Sequence, residues 1–264
     1  MHIGWLTAPL FVPGDRPERF GKAAASGADA IIIDLEDAVA PAAKPAAREN
    51  LRLAHNLGCA VVVRINGRAT QWHVEDLAAV RQLAPAGVIL PKAESADDIG
   101  GTAACGVPII ALVETAAGLA AARAIAASGA ARIAFGSLDF CADIGSEHTR
   151  DALLAARSEL VLASRLARLP KPIDGVTADL RNAEQLAGDV RHARELGFGG
   201  KLCIHPSQVA DVMSGFEPAA DEIAWAAKVL AAPADGATTV DGRMIDAPVR
   251  AWAHGILERH RRRR

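Results

Sequence analysis

The stretch PIIALVETAAGLAAARAIAASGAARIAFGSLDF, residues 108–140, decides how the chain is read. An apolar run over 109–113 ends abruptly on Glu114. A Gly- and Ala-rich helical segment follows, and a second apolar run over 132–135 opens into Gly136-Ser137-Leu138-Asp139. Two short buried strands joined by one helix predict a parallel β-α-β unit, with each acid just past the C-terminal end of its strand. In a parallel sheet or barrel, both carboxylates then reach one rim from neighbouring strands. Two hard oxygen ligands on a rim suit a divalent cation, so Glu114 and Asp139 are candidate metal ligands. The competing use for both is helix capping and pairing with Arg64 or Lys92.

Working outward, short apolar runs recur at 9–12, 30–35, 60–65, 87–90, 108–113, 132–135, 172–176 and 201–204. Most lack alternation, as strands covered on both faces do. Amphipathic segments separate them at 16–26, 45–57, 74–83, 96–104, 117–128, 150–169, 181–196 and 207–213, with Gly27, Gly58, Gly129 and Gly197 as stops. About eight β-α units predict a TIM (β/α)8 barrel over residues 1–215. A doubly wound sheet would carry a Gly-rich phosphate loop after its first strand, and Pro13-Gly14-Asp15-Arg16 is neither GxGxxG nor a Walker loop. From 216 the pattern changes to a helix (218–230), a break at 232–236, two short runs about a turn at Asp241-Gly242, and a last helix over 249–259. This C-terminal helical appendage, 216–264, reads as too poor in apolar residues to fold alone. It is expected to pack on the barrel or on a neighbouring subunit.

The composition fits one large α/β domain: 264 residues, 51% hydrophobic, 4% aromatic and no Tyr. A net charge of −2 gives no pull toward nucleic acid or anionic membranes, and the basic end from Arg259 to Arg264 reads as a solvated tail. Four cysteines without a CxxC pair read as reduced thiols in apolar surroundings. The N-terminus lacks the basic flank and small-residue cleavage site of a signal peptide, and no uncharged run nears the ~20 residues of a membrane span. A soluble, cytoplasmic protein is expected.

Other rim positions gather charge. The second strand ends in Asp34-Leu35-Glu36-Asp37, the third in Arg64-Ile65-Asn66, the fourth in Pro91-Lys92. An Arg at a barrel mouth needs an anion, either Glu36 or Asp37 or a substrate carboxylate or enolate. Two carboxylates leave most of an octahedral Mg2+ shell to water and substrate; Mn2+ fits the same ligands, and the lack of nearby His argues against Zn2+. His205, before Pro206, reads as a structural residue bonded to backbone. A Schiff base on Lys92 or Lys201 competes with metal-stabilised enolate chemistry, which the acid pair favours.

The segments LFVPGDRPERF, DLEDAV, VRING, ILPK, ALVETAAGL, FGSLDF, KLCIHPSQ and GRMIDAPV, in this order, resemble the citrate lyase β-subunit-like branch of the HpcH/HpaI aldolase family. That branch holds CoA-ester lyases such as malyl-CoA and citramalyl-CoA lyases. The resemblance implies a TIM barrel assembled as homotrimers or hexamers, with Mg2+ on Glu114 and Asp139. It implies Arg64 on the substrate's oxygens, the backbone of Gly136, Ser137 and Leu138 on its carboxylate, and Glu36 and Asp37 behind the metal waters and Arg64. It also implies a proton-transfer role in a neighbour's site for Asp246, which the residues alone read as a turn. The implied reaction cleaves or forms a 3-hydroxy-3-carboxyl acyl-CoA thioester, with an α-keto acid such as oxaloacetate or pyruvate and acetyl-CoA or a homologue as products. The alternatives are a citrate lyase β subunit acting on citryl-acyl carrier protein, a class II aldolase using free pyruvate, and a non-catalytic keto-acid-binding homologue.

Overall fold

Ala30, Ile31, Ile32, Ile33 and Asp34 of β2 (Ala30–Asp34) are all buried, as an apolar run without alternation requires when both sheet faces are covered. The same holds for β4 (Gly87–Leu90), β5 (Ile109–Val113) and β6 (Arg132–Phe135). A computed structural model describes residues 3–233 and 238–261. In it β1 (Leu10–Pro13), β2, β3 (Ala60–Arg64), β4, β5, β6, β7 (Ile173–Asp174) and β8 (Gly200–Lys201) form one parallel sheet in sequence order. The sheet curls until its edges meet. Leu10 bridges Cys203 in parallel; Phe11 N–H donates to the Cys203 carbonyl, and Cys203 N–H to that of Pro9 (both 2.9 Å). This α/β fold, with its eight-stranded parallel curled sheet, is consistent with the expected TIM barrel.

Inside the curl, Ile32, Val62, Ile89, Ile110, Leu112, Ala134, Ile173 and Leu202 form one buried cluster with Ile3 and Leu6. Arg132, fully buried at the start of β6, donates to the carbonyls of Ile3 (3.0 Å), Leu6 (2.7 Å) and Lys171 (2.7 Å), tying the N-terminal turn across that end of the sheet. Burial pulls its guanidinium down to about 9, still ionised at neutral pH. Nearer the other end, Asp174 of β7 accepts from Lys201 of β8 (3.2 Å) and from Arg157 of α8 (Leu154–Leu166; 2.8 Å), all three buried.

Strands and helices fall where the apolar runs place them, with informative differences. β7 and β8 are two residues each, shorter than the runs at 172–176 and 201–204. The segment 117–128 is two helices, α5 (Ala116–Ala120) and α6 (Ala122–Ala127), with Ala121 outside the helical region between them. An unanticipated helix, α7 (Ser137–Ile144), starts at the second acid's motif. Gly129 and Gly197 take φ of 101° and 109°, the left-handed stops expected of them.

The chain divides into two compact units, Met1–Met213 and Ser214–Arg264. In the second, α11 (Ala220–Ala231) packs on α12 (Ala247–Arg261) beside the antiparallel pair β9 (Thr238–Val240) and β10 (Arg243–Ile245). Asp241 and Gly242, both at positive φ (48° and 76°), make the turn. Ala226, Val229, Ile245, Ala253 and Ile256 form a small buried cluster here, so the unit has a core of its own where the sequence reading found too few apolar residues. Of the basic end, residues up to Arg261 close α12 and 262–264 lie outside the described residues, as does most of the break at 232–236. Among the described residues, no helix is long and apolar enough to cross a membrane.

Burial alone would push the Asp174 carboxyl up, but Lys201 and Arg157 outweigh it and hold it below the usual carboxylate range. Its ionised form therefore stabilises the fold above the unfolded-state pKa, and the benefit fades as pH falls through the lowered value. Asp174→Asn strands two buried cations and is expected to cost about 3–5 kcal/mol at pH 7. Urea unfolding should give that difference at pH 7 and a smaller one near pH 3.

Candidate active site

Asp34, the last residue of β2, lies opposite Arg64, the last of β3, in the parallel register. Arg64 forks onto it, Nε to Oδ1 at 2.7 Å and the second terminal nitrogen to Oδ2 at 2.6 Å. The same carboxylate accepts the N–H groups of Glu36 (2.9 Å) and Ala38 (3.0 Å), fixing the loop between β2 and α2 (Lys44–Asn50). Arg64 reaches Glu36 at 3.1 Å and Asp37 only at 3.9 Å, and lies 4.8 Å above the Phe11 ring. Its main partner is thus Asp34, with Glu36, one of the anions offered from the sequence, as a second. Burial opposes its charge, but these acids more than compensate and raise its pKa.

Asn66 takes a different course. β3 stops at Arg64, so strand alternation does not carry through, and Asn66 bonds with buried Lys44 (2.7 Å) and Asp76 (2.6 Å). Lys44 also donates to the carbonyls of Leu35 (2.8 Å) and Glu36 (2.9 Å). This network pins the β2–α2 loop to the loop between β3 and α3 (His73–Leu83). Nothing in the local sequence marks Lys44 for that role.

Lys92, two residues past β4, has φ +50°, a left-handed backbone that costs about 1–2 kcal/mol outside Gly. Its N–H donates to Glu114 Oε1 (2.8 Å), and its ammonium to Glu36 Oε1 (2.7 Å). Glu114 Oε2 is buried with no hydrogen-bond partner. A Cβ on Gly136 would overlap the Glu114 Cβ and Oε2, so only glycine fits there. Burial, then Glu36 and Asp139, push the Glu114 carboxyl up to about 8 against the opposing pull of the Lys92 N–H and charge. Glu36 is raised too, chiefly by burial.

Asp139 is the third residue of α7 and exposed. It shares a cavity of about 340 Å³ with Arg64, Glu114, Gly136, Ser137 and Leu138, while Phe11, Leu112 and Ile204 supply apolar wall. Glu36, held by Arg64 and Lys92, is not among the lining residues, whereas Asp37 is, with 58% of its side chain exposed. Among the described residues no three His, Cys, Asp or Glu side chains are disposed to hold a metal together. The two carboxylates Glu114 and Asp139, one with a bare buried oxygen, fit a cation that keeps most of its shell for water and ligand oxygens, as Mg2+ does.

A larger, more open hollow of about 580 Å³ lies at the strands' N-terminal ends beside Asp29, His55 and Cys59, and gathers no convergent charges. Lys201 is fully buried on Asp174 and the Gly175 carbonyl, and the Lys92 ammonium is stabilised by Glu36, so neither offers the free amine of a Schiff base. His205 Nδ1 accepts from the Ser207 N–H (3.2 Å) at the start of α10 (Pro206–Gly215), the structural use expected of it. Asp246 belongs to the second unit, where it is exposed and accepts the Val249 N–H (3.1 Å), capping α12. Asp34 stood among the rim acids in the sequence, but its pairing with Arg64 becomes visible only by counting the register; His148, 2.8 Å from Ser137 Oγ and outside the cavity lining, carries no local signal.

A curled parallel sheet with charged groups past the C-terminal ends of its strands is consistent with a barrel enzyme, and the comparisons fix its class. Residues 8–206 match the HpcH/HpaI aldolase/citrate lyase family. The chain is 42% identical to a citrate lyase subunit beta-like protein of Mycobacterium tuberculosis over 97% of this chain and 94% of that one. It is 31% identical to human mitochondrial citramalyl-CoA lyase over 95% and 84%. The fold is similar to the crystal structure of M. tuberculosis CitE in complex with magnesium, acetoacetate and coenzyme A, with a TM-score of 0.85 and 38% identity over 97% and 99% of the two chains. The chain belongs to the HpcH/HpaI aldolase/citrate lyase family and is a carbon–carbon lyase.

A buried carboxyl raised to about 8 favours the metal-free fold most below its unfolded-state value near 4.3, and that contribution is lost as pH rises through 8. Glu114→Gln removes the penalty of ionising it. Without divalent cations, thermal melts should show wild type losing stability between pH 6 and 9 while Glu114→Gln stays level, a gap on the order of a few kcal/mol at pH 9.

Proposed function

We propose that the chain is a Mg2+-dependent lyase that cleaves or forms the carbon–carbon bond of a 3-hydroxy-3-carboxyl acyl-CoA thioester, such as citramalyl-, malyl- or citryl-CoA. The products are an α-keto acid and acetyl-CoA or a homologue. The observation that carries this reading is the bare, buried Glu114 Oε2 in one cavity with Asp139 and Arg64. Glu114 and Asp139 would hold Mg2+, or Mn2+ in its place, whose positive charge would favour ionisation of the substrate hydroxyl.

The chain's own groups do the rest. The first turn of α7, Ser137 and Leu138 after Gly136, has no side-chain cap, so its N–H groups are available to the substrate carboxylate. Arg64, held flat by Asp34 and Phe11, presents its remaining N–H donors to the oxygen that becomes an enolate as the bond breaks. Glu36 and Asp37 keep Arg64 and nearby water oriented. Asp246, delivered by a neighbouring copy in a homotrimer or hexamer, takes the hydroxyl proton, and that proton returns to the thioester enolate carbon as the bond breaks, giving the acyl-CoA. Arg16, Arg19 and Lys22, exposed on the turn and helix after β1, meet the CoA phosphates. The site of action is the cytoplasm.

The test is a panel of purified CoA esters with Mg2+, following keto-acid release. At least one should be cleaved by the protein alone. Turnover only with an acyl carrier protein and partner subunits would favour the citrate lyase β reading, activity on free pyruvate alone the class II aldolase, and no turnover the non-catalytic homologue. Asp139→Ala should abolish Mg2+-dependent cleavage with the fold intact by circular dichroism. Arg64→Lys, which loses the fork onto Asp34, should lower kcat by about 10²- to 10³-fold; an unchanged kcat removes Arg64 from the reaction.

A further inference from the structure

Ser137 opens α7 but its hydroxyl does not cap the helix. Gly136 stands at the cap position and no side chain accepts from the first turn. The Ser137 side chain is buried, at 1% exposure, and its Oγ points away from its own helix into two neighbours. One is the backbone of Gly175, just past β7, so close that a Cβ there would overlap Oγ. The other is His148 Nε2 at 2.8 Å. His148 lies in the segment between α7 and α8, which is itself anchored: Ser146 N–H donates to the Cys141 carbonyl (3.0 Å) and Thr149 N–H to that of Glu147 (2.9 Å). The imidazole faces Arg157 of α8, Lys201 of β8, Asp174 of β7 and Asp189 of α9 (Ala183–Leu196). Burial, then Arg157 and Lys201, lower its pKa, so the ring is neutral at pH 7 and shares one hydrogen bond with the hydroxyl.

An uncapped helix start that must meet a ligand needs something other than a cap to fix it. We propose that His148 is a positioning residue: by holding Ser137 Oγ against Gly175 it sets the first turn of α7, and through it the aim of the N–H groups and of Asp139 into the cavity. The proposal rests on the reading above that this turn receives the substrate carboxylate. His148 is not among the residues that line the cavity.

The test compares His148→Phe, which fills the space without the bond, with His148→Gln, whose amide nitrogen reaches the place of Nε2. Pyruvate and, separately, acetyl-CoA are titrated calorimetrically into the full chain with Mg2+. Losing one hydrogen bond of about 1–1.5 kcal/mol should weaken pyruvate about tenfold in His148→Phe. Acetyl-CoA affinity should hold, and His148→Gln should stay within about threefold of wild type for pyruvate. Equal pyruvate affinity in wild type and His148→Phe, equal weakening of both ligands, or no rescue by Gln overturns the proposal. Ser137→Ala removes the other half of the bond; it should match His148→Phe, with no further loss when the two are combined. Hydrogen–deuterium exchange of peptides covering 136–144 needs no ligand and should quicken in His148→Phe but not in His148→Gln; identical exchange in all three proteins overturns the proposal. If wild type binds no pyruvate, the reading of the cavity fails, and exchange alone decides whether His148 sets the turn.

Discussion

The Glu114 carboxylate is buried with a donor for only one of its oxygens, and the arrangement around it follows from that imbalance. Lys92 bends into a left-handed backbone to present its N–H to Oε1, while its ammonium goes to Glu36. Arg64 is committed to Asp34. Gly136 lacks a side chain because the carboxylate fills that space. Arg64 pairs with Asp34, Glu36 and Asp37, Lys92 with Glu36, and neither cation reaches Oε2. A buried anion without a partner either takes up a proton or waits for a cation. Here the raised carboxyl and the open cavity beside Asp139 leave room for both states, one metal-free and one loaded.

Much of the fold was legible because a parallel sheet covered on both faces writes itself as unbroken apolar runs, and glycine stops divide the helices. The limits were equally physical. β7 and β8 keep only two ladder residues each, Ile173–Asp174 and Gly200–Lys201, and past them Cys203 already pairs across the closing edge with Leu10. α7 was hidden because GSLDF begins without a capping side chain and reads as a strand opening into a loop. Its uncapped start is the property that suits it to a ligand.

Within the site, residues at strand ends were found from the sequence because position along a strand determines the rim. Glu114, Asp139 and Arg64 share one cavity, as that argument required. Partners set by tertiary packing were not visible: Lys44 behind Asn66, and His148 behind Ser137, reach across 22 and 11 residues. Asp246 is the opposite case. Its geometry within the second unit is that of a helix cap, and its role in proton transfer rests on family resemblance.

The central claim is that Glu114 holds a proton in the metal-free protein and gives it up to a divalent cation. Calorimetric titration of Mg2+ at pH 7, repeated in two buffers of different ionisation enthalpy, measures this directly. The account predicts that Mg2+ binds and that about one proton leaves for each ion bound. Binding with no proton release, or no binding at all, would contradict it.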